Sequence, residues 1–238
     1  MCATNWEFAN RASIFGMIIG VGFATYTFDR QNVVASLANR FAVTLRADAD
    51  SIARILFAAA ALLLVAGAIV RTWASSYLSA SVVYAAEVKS DSLVADGPYR
   101  WVRNPLYFAN LLLAAGMGAV MSRIGFLFAV LAIPVFCYRL ILREEEELQA
   151  SRGSQYEAYR RRVPRLWPAL RPGIASSNRR PSWADGFRAE TWYWGFAAAV
   201  IAFALTLDMR PFLVLVGLGV VLLWLPASHR RKPGSNSR

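Results

Sequence analysis

Histidine and cysteine are scarce in this chain. Its 238 residues include one histidine, His229, and two cysteines, Cys2 and Cys137. One cysteine lies at the N-terminus, the other lies inside an apolar run, and the sequence has no CxxC pair. A disulfide framework and a Cys/His zinc site need more of these residues at closer spacing. We therefore expect neither, and we predict no metal site.

Acidic residues are also few: 15 Asp and Glu stand against 26 Lys and Arg, giving a net charge of +11. A soluble nucleic-acid-binding protein can be this basic, but its apolar residues are dispersed. Here 57% of the residues are hydrophobic, and they occur in blocks. Apolar blocks with basic connections are typical of a multi-pass membrane protein. We therefore expect the lipid bilayer as a partner and no nucleic acid.

The apolar runs predict an all-α, multi-pass transmembrane helical bundle of about six spans. Very short connections inside the second and third pairs of spans predict two tight helical hairpins. Basic residues concentrate on the side of the N-terminus, which predicts that both termini are cytoplasmic. The predicted spans are 12–28, 52–73, 106–121, 124–142, 192–208 and 211–226.

A long hydrophilic stretch follows the fourth predicted span. Four consecutive acids, Glu144–Glu147, extend that helix, which should stop near Gly153. A short amphipathic helix is predicted over 155–162, before Pro164 and Pro168. The predicted organisation is N-terminal transmembrane helices at 1–70, a core at 71–170, a flexible linker at 171–190, and a C-terminal hairpin with a basic tail at 191–238.

The stretch 97–110, GPYRWVRNPLYFAN, places cations, aromatics and prolines before an apolar run. Pro105 suits the first turn of a helix, whose free N–H groups favour an anion such as a carboxylate. Taken alone, the stretch is equally typical of an aromatic and basic membrane-interface belt. However, the hairpin 105–142 returns the chain to the same side, so 103–107 should lie near 143–147. A ligand with both a carboxylate and cationic centres would suit that meeting point.

These elements in this order resemble the isoprenylcysteine carboxyl methyltransferase and phospholipid methyltransferase superfamily, whose members are integral-membrane enzymes. The resemblance covers about residues 71–170. Asn104 stands where the family has histidine; asparagine hydrogen-bonds but does not titrate near neutrality. The matching positions are Gly97, Pro98, Tyr99, Arg103, Pro105 and Tyr107, the acid pair Glu144 and Glu145, and then Gly153, Tyr156, Tyr159, Val163 and Pro168.

The resemblance implies methyl transfer from S-adenosylmethionine, bound in a cytoplasmic pocket of the core. It implies a lipophilic or small methyl acceptor that bears a carboxylate, amine or thiol. It also implies that the protein lies in a bacterial inner membrane. Arg103 and Arg143 are the expected catalytic residues that orient an anionic acceptor. The expected cofactor-binding residues are Tyr99, Asn104, Pro105, Tyr107, Glu144, Glu145, Tyr156 and Tyr159.

Two other interpretations remain open from the sequence. A membrane sterol-type reductase that uses NADPH shares part of the first motif, but it should carry an R-D/E-x-x-C-x-x-K-Y-G pattern, and the run 144–147 has no neighbouring Cys or Lys. The second interpretation is a membrane protein of the same fold without catalytic activity. Its best support is Asn104, which stands in place of the family's histidine. Binding of the two cofactors distinguishes all three.

Overall fold

The computed structural model describes residues 2–78 and 95–224, the last five by backbone alone. The regular secondary structure of these ranges is helical, which confirms the all-α part of the predicted fold class for them. Two 3-10 turns lie at Thr25–Thr27 and Gly97–Arg100. The predicted basic tail after 224 lies outside the described residues. The helices are α1 Asn5–Ala9, α2 Arg11–Ala24, α3 Val33–Leu45, α4 Ala49–Tyr77, α5 Pro105–Gly118, α6 Arg123–Arg152, α7 Ser154–Arg162, α8 Trp183–Thr206 and α9 Met209–Trp224.

Among the described residues, two helices are long and apolar enough to cross a membrane. These are α4, with 29 residues, and α6, with 30, and each exceeds the hydrocarbon core of about 30 Å at about 1.5 Å per residue. Each predicted span corresponds to a helix, but α2 and α5 have only 14 residues each, or about 21 Å. The prediction of about six spans is therefore supported for two helices by length and composition.

The helix ends follow the local sequence. The Asp48 carboxylate accepts a hydrogen bond from the Ser51 N–H at the start of α4, and Ser122 accepts one from the Gly125 N–H at the start of α6. Helix α6 continues through the four glutamates and ends at Gly153, which has φ +49°. This end and helix α7 agree with the sequence prediction.

Helix α4 lies at the centre of the bundle, against α5, α8 and α3. Gly116 allows α5 to pack closely against α4. A Cβ at this position would lie 2.5 Å from Leu64 Cγ and 2.9 Å from the Ala60 carbonyl oxygen. Large aliphatic side chains point outward: Leu62 is 70% exposed and Val135 is 63% exposed. An apolar outer surface of this kind suits a lipid environment.

The helical hairpins predicted from the short connections are present as α5–α6 and α8–α9. Helix α8, however, begins at Trp183, so the C-terminal part of the predicted linker 171–190 is helical. The part before it is held by backbone hydrogen bonds: the Gly173 N–H donates to the Arg100 carbonyl and the Ser182 N–H donates to the Ser76 carbonyl. Helix α3 was not predicted, because its apolar residues form no long run.

Asp96 anchors the segment that leads to α8. Its carboxylate accepts hydrogen bonds from the hydroxyls of Ser176 and Ser177 and from the N–H groups of Ser177 and Arg179. Burial acts to raise the pKa of Asp96, but these hydrogen bonds outweigh it and lower the pKa from 3.8 to about 2. The folded protein therefore favours the ionised carboxylate.

Asp96→Asn is expected to lower the free energy of unfolding at pH 7 by about 1–3 kcal/mol, since it weakens hydrogen bonds to a charged acceptor. Because the folded pKa lies below the unfolded one, this stabilisation is present above about pH 4 and is lost as the pH falls toward 2. Unfolding temperatures of the wild type and Asp96→Asn in detergent, measured at pH 7, 5 and 3, should therefore converge at low pH.

Asp185→Asn, at a half-exposed acid of α8, is the control, and its unfolding temperature should differ little from that of the wild type. A difference for Asp96→Asn that is unchanged at pH 3 would contradict this account.

Candidate functional site

The start of α5 and the end of α6 meet at one end of the bundle, as the sequence predicted. The 3-10 turn Gly97–Arg100 leads into α5, and Gly97 has φ +58°, a conformation that favours glycine. A Cβ on Gly97 would also overlap the Tyr77 ring. Pro105 occupies the first position of α5 and is buried. This arrangement sets Arg103, Asn104 and Tyr107 opposite the glutamates of α6.

Glu145 lies at the centre of a buried ion cluster. Its Oε1 accepts hydrogen bonds from Arg103 Nη2 at 2.8 Å and Nε at 3.1 Å, and from Asn104 Nδ2 at 3.3 Å. Its Oε2 accepts from Arg165 Nε at 3.0 Å and also lies 2.9 Å from Arg165 Nη2. The side chains of Arg103 and Glu145 are only 7% and 8% exposed. Both carboxylate oxygens are thus already paired with guanidinium groups of the protein, and we call these four residues the Glu145 cluster.

The other donors of the Glu145 cluster hold the backbone after α7. Arg103 Nη1 donates to the carbonyls of Arg160 at 2.7 Å and Val163 at 3.1 Å. Asn104 Nδ2 donates to the Arg165 carbonyl at 3.0 Å. Arg103, one of the two expected catalytic residues, therefore holds this backbone segment, and its catalytic role stays a prediction. Asn104 acts here as a hydrogen-bond donor, a role that needs no titration.

Glu144 projects to a different side from Glu145, because neighbouring helix positions are about 100° apart. Its Oε1 accepts a hydrogen bond of 2.6 Å from the Tyr107 hydroxyl. Tyr107 is buried, with 8% exposure, whereas Glu144 is half-buried. Burial raises the pKa of Glu144 to about 7, although the Tyr107 hydrogen bond and the positive charge of Arg11 act to lower it. The pair Tyr107 and Glu144 is called the Glu144 site below.

Arg143 lies apart from Arg103, although both were expected to be catalytic. Its guanidinium lies 2.6 Å from Glu147 Oε1 and donates to Asn5 Oδ1 at 2.6 Å. It also lies over the Phe8 ring at 5.0 Å. The structure therefore places Arg143 against the N-terminal segment, on the face of α6 that carries Glu147.

Three of the four expected tyrosines, Tyr99, Tyr156 and Tyr159, connect α7 to the turn that precedes α5. The Tyr159 hydroxyl donates to the Tyr99 carbonyl at 2.7 Å, and the Tyr156 and Tyr159 rings lie 6.1 Å apart. Burial raises the pKa of Tyr156 to about 12 and also raises that of Tyr159. Both phenols are therefore neutral at physiological pH, and they pack with Val163 in one cluster.

An apolar cavity of about 280 Å³ opens beside the turn that carries Tyr99. It lies between α4, the start of α5 and the segment after α7, and it exposes no polar surface. The residues that line it are Val70, Trp73, Pro98, Trp101, Val102, Phe108 and Pro168. A cavity of this kind accommodates a hydrocarbon group rather than a charged one.

A second buried polar cluster was not identified from the sequence. Arg71 of α4 binds Glu190 of α8 through Nε at 2.5 Å and Nη2 at 3.2 Å, and Ser75 donates to the same carboxylate at 2.5 Å. Arg71 Nη1 also donates to Asn110 Oδ1 of α5 at 2.6 Å. Glu190 is fully buried. The four residues, called the Glu190 cluster, connect α8 to the helices that carry the site.

Within residues 2–78 and 95–219, no group of three or more His, Cys, Asp or Glu side chains is arranged to hold a metal ion.

A family model matches the central part of the chain. Residues 55–152 match the family model described as phospholipid methyltransferase. This segment includes the start of α5 and the four glutamates, so the match agrees with the resemblance found in the sequence.

Two curated proteins are similar to this chain. One is the cobalt-zinc-cadmium resistance protein CzcN of Cupriavidus metallidurans, 30% identical over 142 residues, which are 58% of this chain and 62% of that protein. The other is the nickel-cobalt-cadmium resistance protein NccN of Alcaligenes xylosoxydans xylosoxydans, 34% identical over 42% of this chain and 44% of that protein. The chain thus spans less than two thirds of the length of either relative. No solved structure matches it.

Proposed function

We propose that this protein is an integral-membrane methyltransferase that uses S-adenosylmethionine and acts on a lipophilic or small membrane-accessible acceptor. The observation that carries the proposal is the Glu144 site, formed by Tyr107 and Glu144 within the family segment. The Glu145 cluster holds the two helix ends in place around it, and an apolar cavity lies nearby.

The charges at the Glu144 site fit this cofactor. S-adenosylmethionine carries an ammonium, a carboxylate and a sulfonium, and when bound it supplies an electrophilic methyl group. Glu144 offers a half-buried carboxylate to a cationic centre, and the Tyr107 hydroxyl fixes its orientation. Glu145 already pairs with Arg103 and Arg165, so we assign it to positioning rather than to direct contact with the cofactor.

The apolar cavity supports a lipophilic acceptor. Trp73, Trp101 and Phe108 supply an aromatic lining without exposed polar surface. S-adenosylmethionine held by Glu144 would supply an electrophilic methyl group to an acceptor whose hydrocarbon part occupies this cavity. A carboxylate acceptor needs no proton acceptor, whereas an amine or thiol must also lose a proton.

The proposed orientation follows from the basic residues. The site end of the bundle also carries the arginine-rich stretch 160–165, and such stretches are retained on the cytoplasmic side. We therefore propose a cytoplasmic site in a bacterial inner membrane, with both termini cytoplasmic. Reporter fusions at each terminus test this, and a periplasmic signal at either end would contradict it.

Glu144→Gln is the test of the proposed function. The substitution keeps the side-chain volume and an acceptor for Tyr107 but removes the charge, so affinity for S-adenosylmethionine should fall at least about tenfold, as for a lost hydrogen bond to a charged group. Calorimetric titration of the full chain in lipid nanodiscs measures this. Transfer of a labelled methyl group into a membrane lipid extract should fall in parallel.

Glu146→Gln is the matched control for that variant, because Glu146 is an exposed acid two positions along the same helix. It should bind the cofactor as the wild type does. Wild-type protein that is folded but does not bind S-adenosylmethionine would refute the proposal. Binding of NADPH in its place would favour the reductase interpretation, and binding of neither would favour a catalytically silent protein.

A further inference from the structure

The segment after α7 forms a closed loop, residues 162–173, at the site end of the bundle. Its two ends meet, because a Cβ on Gly173 would overlap the Arg162 carbonyl. The loop is also fixed against the turn before α5, where the Ala169 N–H donates to the Trp101 carbonyl at 2.9 Å. The backbone of this segment, called the 162–173 loop below, is thus held in one position on the surface.

Two large apolar side chains of the 162–173 loop are exposed. Trp167 is 68% exposed and Leu170 is 97% exposed. The Trp167 ring packs edge-on against Phe108, with 5.9 Å between the ring centroids, and Phe108 and Pro168 both line the apolar cavity. Exposing this much apolar surface to water is unfavourable, whereas tryptophan is enriched at the boundary between lipid headgroups and acyl chains.

Arginines surround these apolar side chains. From residue 160 to 171 the chain has five arginines and no acid. Three of the five share the carboxylates of Glu157 and Glu145. The other two, Arg162 and Arg171, are exposed and form no ion pair with an acid in the part of the chain that the structure describes. The loop therefore places excess positive charge beside exposed apolar surface.

We propose that the 162–173 loop is a docking site for anionic phospholipid. Trp167 and Leu170 insert among the headgroups and the upper acyl chains, and Arg162 and Arg171 contact the phosphate groups. A soluble anion would suit the arginines but would leave the two apolar side chains in water, whereas an anionic bilayer surface suits both. The bound lipid lies beside the apolar cavity, which the loop borders. The assignment rests on the membrane location proposed above and not on methyl transfer.

Tryptophan fluorescence tests which lipid lies beside the loop. The full chain is reconstituted in nanodiscs of mixed phosphatidylcholine and phosphatidylglycerol, with one or the other lipid brominated on its acyl chains so that it quenches nearby tryptophan. Subtracting the signal of Trp167→Phe isolates the quenching of Trp167. We expect Trp167 to prefer phosphatidylglycerol by about fivefold or more, the factor expected of one arginine near an anionic headgroup. The preference should weaken in 1 M salt, where the screening length is about 3 Å.

The double variant Arg162→Gln with Arg171→Gln should lose the preference, while both lipids still quench Trp167. Arg40→Gln with Arg46→Gln is the matched control, because it removes the same charge from two exposed arginines at the end of α3. It should keep the wild-type preference. A preference that survives in the first double variant would overturn the assignment of Arg162 and Arg171.

The wild type alone can also overturn the proposal. Equal quenching of Trp167 by the two brominated lipids would exclude a site for anionic phospholipid, and no quenching by either would place the loop in water. If lipid quenching is lost in discs that hold two chains instead of one, the loop binds a second copy of the chain. Protein that does not enter nanodiscs would refute the membrane location and this assignment together, whereas none of the other outcomes affects the proposed methyl transfer.

Discussion

Glu145→Gln is expected to lower the free energy of unfolding by about 3–5 kcal/mol, the typical cost of removing one partner of a buried ion pair. The carboxylate receives Arg103 on one oxygen and Arg165 on the other, and the substitution leaves both guanidiniums without their counter-charge. Since Arg103 also holds the carbonyls at the end of α7, that helix should loosen as well. Denaturation of the full chain in detergent, followed by circular dichroism, measures the change.

The neighbouring acids give a direct comparison with Glu145→Gln. Glu146→Gln, at an exposed position of the same helix, should change stability by less than about 0.5 kcal/mol. Glu144→Gln should reduce cofactor affinity with little effect on stability. If Glu145→Gln instead weakens cofactor binding while unfolding at the wild-type concentration of denaturant, Glu145 contacts the cofactor directly and its assignment to positioning is wrong.

Glu190→Gln is expected to have a stability effect of similar size, about 3–5 kcal/mol. Glu190 is fully buried and accepts hydrogen bonds from Arg71 and Ser75, so the substitution removes a carboxylate that pairs with a buried cation. Arg71 also orients Asn110, one turn beyond Tyr107 on α5. The same denaturation measurement applies, and α8 should separate from α4 before the rest of the bundle unfolds.

Arg188→Gln on the same helix is the control for Glu190→Gln. Arg188 is exposed and 3.7 Å from Asp185, so its loss should cost less than about 1 kcal/mol. The double variant Arg71→Met with Glu190→Leu should be more stable than Glu190→Gln, because it removes both charges together. If that double variant is instead the less stable of the two, the cost lies in packing and not in the unpaired charge.

The contact between residues 103–107 and residues 143–147 was predictable, because it depends only on the direction in which the chain runs through the hairpin. Two apolar runs joined by a few residues must form a hairpin, and a hairpin returns its second end to the level of its first. Residues 103–107 and 143–147 therefore had to face each other, and the structure shows contacts from Arg103 to Glu145 and from Tyr107 to Glu144. The continuation of α6 through the glutamates and its end at Gly153 follow from local signals of the same kind.

Which side chains pair with each other in this contact was not predictable. A run of four glutamates has no feature that marks which acid faces Arg165 and which faces Tyr107, because this depends on the rotation of α6 about its axis. Arg165 was missed although it lies inside the tail motif, between Pro164 and Pro168. Arg143 was expected at the site, but the rotation of the helix places it against the N-terminal segment.

The sequence by itself determined that this is an all-helical chain with apolar segments, a short hairpin at 105–142 and the motif set of a methyltransferase family. These properties follow from the lengths of the apolar runs, the turn residues and the spacing of the motif residues, all of which can be read along the chain. Only the tertiary structure decided the different partners of Glu144 and Glu145 and the pairing of Arg71 with Glu190. Each of these depends on helices that are distant in sequence packing at one particular rotation, and that rotation results from the close packing of the whole bundle.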